Sequence, residues 1–222
     1  MKKNRMIENC VYEVPLVLSG ELEAQRESLK LAFANSQKRL RDFAVRNGWE
    51  RFVEENFIDR AEIYHKQEEL VNRILGMAGA DSAVMLPKEF SACLEDKIFM
   101  SVSPELYSRI YPEAAGDTAF EKLIVHEMAH RLHVRILGGN EEAMGPIWFF
   151  EGFAVHAADQ FPEQAMPREK IWKIARNPER GSYRKYSSVF RHFLKYASIH
   201  ELVSRAGDSD FLEWLEGREQ GE

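Results

Sequence analysis

Two stretches govern the fold of this chain: His126-Glu127-Met128-Ala129-His130, and Trp148-Phe149-Phe150-Glu151-Gly152-Phe153-Ala154. The first is an H-E-x-x-H sequence. Four residues of α-helix advance about 400° and about 6 Å along the axis, so His126 and His130 share a face. Two imidazoles at that spacing can ligate one metal ion, and Zn²⁺ is the usual guest. Glu127 points to the side of such an ion, where a carboxylate can hydrogen-bond a metal-bound water without ligating.

The flanking residues predict that the motif is helical. Thr118 and Glu121 have capping-box spacing, and Phe120, Ile124, Met128 and Leu132 form an apolar stripe at i+4 intervals. Gly138-Gly139 ends the run. A third ligand must come from elsewhere, and Glu151 is the best placed, with room after His130 for a loop and a second helix. Pro146 suits the first turn of that helix and Ile147 to Asp159 continues it. Gly152 and Ala154 would let the two metal helices approach closely.

H-E-x-x-H followed by W-F-F-E-G-F-A resembles the gluzincin zinc metallopeptidases, whose third zinc ligand is a glutamate on a second helix. The W-x-x-E-G-x-A form is similar to the peptidase MA-like group and to aminopeptidase N relatives, while thermolysin shares the ligand set in a looser pattern. The resemblance covers residues 118 to 160. It implies a zincin-like fold in which His126, His130 and Glu151 hold Zn²⁺ and Glu127 is the general base. It also implies an oxyanion donor, a Tyr or His, on a helix after the glutamate helix. Tyr186-Ser187-Ser188-Val189 is similar to the Tyr-x-x-Gly of the aminopeptidases, with Val189 in place of the glycine, which points to Tyr186; Tyr183, one turn earlier, is the rival. The aminopeptidases' G-x-M-E-N motif has no counterpart, so aminopeptidase activity is not implied.

At 222 residues and 45% hydrophobic content, the chain can bury a core as one domain or two closely packed subdomains. A formal net charge of −6 argues against nucleic-acid binding. Cys10 and Cys93 are too few for a disulfide framework. The apolar stretch Val11 to Leu18 is broken by Glu13 and Pro15, too short for a signal peptide, and no run could span a membrane. The expectation is a soluble cytoplasmic protein.

The remaining sequence predicts a helix-rich α+β chain. Residues 11 to 18 read as a strand that Pro15 confines to an edge, and Glu21 to Val45 as a long helix with Leu22, Leu29, Phe33 and Leu40 on one face, closed by Asn47-Gly48. Trp49 to Phe57 suggests a short helix and Gln67 to Leu75 another. Strands are expected at Ala61 to Tyr64, Ala83 to Leu86 and Lys97 to Val102, giving a small mixed sheet. In gluzincins an edge strand before the active-site helix pairs with substrate, and Ile98 to Ser101 holds that position. Ser103 to Gly116 and Gly138 to Gly145 read as loops, and the chain turns polar from Pro162. Tyr186 to Ala197 reads as a helix and Phe211 to Leu215 as the last element. The chain is thus expected to divide into an α/β part over about 1–117 and a helical part over about 118–222, with the active site between them.

Other histidines carry weaker claims. His133 lies near the face of His126, but positions 0, +4 and +7 recede along a rigid helix, so a polar or supporting role is preferred to ligation. His156, His192 and His200 read as structural, and His65 has no partner in sequence. The function expected is hydrolysis of a peptide or protein substrate by zinc-activated water. The alternatives are a dedicated regulatory metalloprotease similar to the ImmA/IrrE group and a zinc-binding but inactive scaffold module; Glu127 has no use in the last.

Overall fold

The computed structural model describes residues 11–78, 90–114, 116–162 and 164–221. The chain is helix-rich with one small mixed sheet, in two compact units. One comprises residues 1–39 and 54–127, the other 40–53 and 128–222, so two of the three boundaries fall inside helices and the third follows the 3-10 segment Glu50–Val53. The expected strand at Ala83 to Leu86 lies outside the described residues.

The first unit is built on the sheet. Strands β1 (Leu16–Leu18), β2 (Arg60–Tyr64), β3 (Ala92–Glu95) and β4 (Ile98–Val102) are ordered β1-β2-β4-β3. β1, β2 and β4 run parallel, with Leu16 opposite Ala61 and Arg60 opposite Ile98. Among the described residues β1 is an edge strand, as Pro15 predicts. β4, however, is internal, because β3 pairs antiparallel along its outer side. Among the described residues the outer strand beyond β4 is therefore β3, not Ile98 to Ser101. The two strands meet in a two-residue turn, Asp96-Lys97, with both residues at positive φ, which matches the right-handed strand twist.

Helix α1 (Arg26–Arg46) follows a 3-10 segment, Gly20–Gln25, and buries Leu29, Phe33 and Leu40 as the pattern predicts. It closes at Gly48, at φ 67°, with Trp49 N–H donating to the Ala44 carbonyl at 2.8 Å. Phe33 sits edge-on to Phe99, which meets Phe120 the same way, at centroid distances of 5.3 and 6.4 Å. Helix α2 (Gln67–Ala78) packs on β2 and β4. Residues after Ser103, expected as loop, form helix α3 (Pro104–Ile110): the Ser103 hydroxyl accepts from Leu106 N–H and Pro104 occupies the first turn.

Helix α4 (Ala119–Ile136) carries the H-E-x-x-H motif and ends at Gly138, at φ 66°. Glu121 does not close a capping box with Thr118. Its two oxygens instead accept from Asn35 at 2.7 Å and pair with Arg39 at 3.1 Å, tying the start of α4 to α1.

The second unit is helical. Helix α5 (Ile147–Ala157) begins just after Pro146, which is its N-cap rather than part of its first turn. Helices α6 (Arg168–Ala175) and α8 (Ile199–Arg205) arise where the sequence looked polar, and the latter opens on a complete capping box of Ser198 and Glu201. Helix α7 (Tyr183–Phe193) starts one turn before the expected Tyr186, and α9 (Phe211–Gln220) runs past Leu215. Trp148, Phe149 and Phe153 of α5, Phe190 and Phe193 of α7, and Phe211 of α9 form the aromatic core.

Gly152 serves a different contact from the one expected. A Cβ there would stand 2.8 Å from Phe190 Cβ and 3.1 Å from the Tyr186 carbonyl oxygen, so the missing side chain lets α5 approach α7. Neither obstacle is the free end of a side chain. Gly152→Ala should destabilise the metal-free protein by about 1–3 kcal/mol, measured by urea unfolding; an unchanged midpoint would mean that the two helices separate at no cost.

Candidate metal centre

α4 is buried almost all round, since Ile124, Val125, Met128, Ala129 and Leu132 are shielded from solvent. An imidazole on such a helix must find a polar partner or remain neutral in the core. His126 and His130 find one another: with Glu151 on α5 they form a group whose potential ligand atoms all lie within 4.8 Å. His126 and Glu151 are buried and His130 is half-buried. His130 Nε2 and Glu151 Oε2 are 3.4 Å apart. Two donors about 2.1 Å from one tetrahedral ion would show nearly that separation. Two imidazoles and a carboxylate form a mixed nitrogen and oxygen donor set, unlike the all-oxygen sets of hard cations. The three residues named from sequence thus come together as a site that could hold a metal ion.

The other oxygen of the Glu151 carboxylate is engaged separately. Oε1 lies 2.7 Å from Arg180 Nη1, and the same nitrogen donates to the Tyr183 hydroxyl at 3.1 Å. Burial opposes the Arg180 charge, yet the Glu151 carboxylate and Tyr183 raise its pKa above the ordinary value. Arg180 carries no sequence signal as a site residue. It lies in the polar break between α6 and α7, and only the fold brings it to Glu151.

Tyr186 is buried at the first turns of α7. Its hydroxyl accepts from the Gly181 N–H and donates to the Glu179 carbonyl at 3.4 Å. Burial raises its pKa, opposed by the Gly181 N–H and by Arg180. Glu127 is half-buried, and its charge acts on the Cys93 thiol, which burial first and then Glu127 push upward.

The remaining histidines lie outside this ligand group. His133 is absent from the ligand group: its ring is fully buried, stacks on Phe153 at 4.6 Å, and has no hydrogen-bond partner on either nitrogen. His156 packs on Phe190 and Phe43. His192 pairs with Glu219 at 2.9 Å, and Trp172 and Arg168 also bond that carboxylate. His200 lies against Trp49. His65 is exposed, with its backbone N–H on the Ser19 hydroxyl. No described helix is long and apolar enough to cross a membrane. Comparison with protein-family models, with curated proteins and with solved structures finds no match.

The metal ligation is expected to depend on all three residues. His126→Ala or His130→Ala should abolish stoichiometric zinc in the purified protein, and Glu151→Ala should weaken it, as read by elemental analysis and chelator competition. Full retention in Glu151→Ala with loss in His133→Ala would move the third ligand. A second expectation concerns pH. Burial lowers the pKa of His133 to about 3, helped by His130, and burial with Arg191 lowers that of His156 to about 4, against the ordinary 6.5. Both stay neutral in the fold while the unfolded chain takes up protons below 6.5. Stability of the metal-free protein should therefore fall as pH drops from 6.5 toward 4, by up to about 1.4 kcal/mol per pH unit for each histidine. Urea unfolding at several pH values checks this, and His133→Phe should flatten the slope.

Proposed function

We propose that this protein is a zinc-dependent metallopeptidase of zincin-like architecture, hydrolysing a peptide bond in a peptide or protein substrate. The observation that supports it is the meeting of His126, His130 and Glu151; the general-base candidate, Glu127, is the residue after His126 on the same helix. Three protein ligands leave a coordination position for water, which a closed structural site does not. Zinc held there would supply Lewis acidity, acidifying a water and polarising a carbonyl.

The chain's own residues carry the proton. Glu127 leaves the helix about 100° from His126, on the flank of the ligand face, where it can accept a proton from the attacking water. It then returns that proton to the departing amine. Tyr186 is assigned to the oxyanion. Its hydroxyl proton now rests on the Glu179 carbonyl at 3.4 Å, a weak contact that a charged acceptor would displace.

Glu127→Gln keeps the shape of the side chain but cannot take a proton. Zinc content should be unchanged while peptide turnover falls by about 10²–10⁴-fold. Near-normal hydrolysis by zinc-loaded Glu127→Gln would refute the assignment, and no hydrolysis of any peptide by the zinc-loaded wild type would favour a binding module.

A further inference from the structure

Glu151 divides its two oxygens: Oε2 faces His130 at 3.4 Å and Oε1 is held by Arg180 at 2.7 Å. A glutamate has three side-chain torsions, and a carboxylate used as a ligand must be presented in one of many orientations. A guanidinium bonded to one oxygen removes much of that freedom and leaves the other for an ion. Arg180 is itself held. It sits between Glu179 and Gly181, and the buried Tyr186 hydroxyl holds this backbone by accepting from the Gly181 N–H, with only a weak donation to the Glu179 carbonyl. A Cβ on Gly181 would stand 3.1 Å from that hydroxyl oxygen, so the backbone passes close over the ring. The route therefore runs from Tyr186 through the backbone at 179–181 to Arg180, and from there to Glu151.

We infer that Arg180 is a positioning residue for the metal ligand Glu151, and that Tyr186 pins the backbone that presents it. This rests on the reading of His126, His130 and Glu151 as a metal site. Two physical effects of Arg180 have opposite signs, which makes the inference decidable. As a positive charge beside a cation site it weakens metal binding, so its removal by Coulomb's law alone tightens zinc. As an orienting partner it strengthens binding, because partners of this kind typically contribute 10- to 100-fold in metal affinity.

The test is zinc titration of the full chain against a chromophoric chelator at fixed ionic strength, with unfolding of the metal-free protein followed in parallel. Arg180→Gln should weaken zinc by about 10-fold or more; it also takes a partner from the buried Glu151 carboxylate and lowers metal-free stability, so zinc is titrated where the parallel unfolding curve shows the variant fully folded. Arg180→Lys, which keeps the charge and one donor, should recover part of the loss. Tyr186→Phe should weaken zinc in the wild-type background and add nothing in the Arg180→Gln background. Tighter or unchanged zinc binding in Arg180→Gln overturns the inference, since Arg180 is then only a nearby charge, while the metal site itself stands. An equal loss from Tyr186→Phe in both backgrounds overturns the route through the loop. Wild-type protein that binds no zinc overturns the metal site and the inference together.

Discussion

A buried carboxylate is the constraint around which the helical unit is arranged. Glu151 is 3% exposed, and an ionised group so far from water must be compensated on each oxygen. The compensation comes from different parts of the chain: an imidazole on α4 and a guanidinium from the segment before α7. Neither partner is near Glu151 in sequence. Holding both requires α5 to be fixed against its neighbours, and the density of aromatic side chains around it does that.

The packing and the site share residues for this reason. α5 alternates its duties along one short sequence: Trp148, Phe149 and Phe153 fill the core, Glu151 faces the ligand group, and Gly152 admits α7. Tyr186 supplies both the carbonyl that a Gly152 side chain would meet and the hydroxyl that holds the 179–181 backbone. A shift of α7 along α5 would move both contacts at once. The fully buried, unpartnered ring of His133 belongs to the same economy of space: it is used as an aromatic surface against Phe153, at the expense of two unmade hydrogen bonds.

The first unit contributes differently. There the buried Glu62 carboxylate receives Arg60 and the Tyr64 hydroxyl from its own strand and Arg73 from α2. Those partners hold its carboxyl down at about 2 despite burial. That carboxylate is saturated, whereas Glu151 presents one oxygen to a second donor group. The contrast explains why two buried glutamates of similar exposure have different chemical prospects.

Sequence alone determined the features that arise from local periodicity and residue chemistry. The i, i+4 histidines, the stripe along α4, the apolar face of α1 and the edge position of β1 all depend on spacing within one element, and Glu151 was marked by its distance from His130 and by the W-x-x-E-G-x-A form around it. The features that depend on contacts between elements were decided by the tertiary structure. β4 became internal because β3, folded back through a tight Asp96-Lys97 turn, took the edge. Gly152 met α7 rather than α4, α3 formed within the stretch Ser103 to Gly116 that read as loop, and α7 began a turn earlier than Tyr186. Arg180 had no pattern to mark it: a guanidinium in a polar loop acquires a role only from the buried charge it reaches, and that charge lies on another helix.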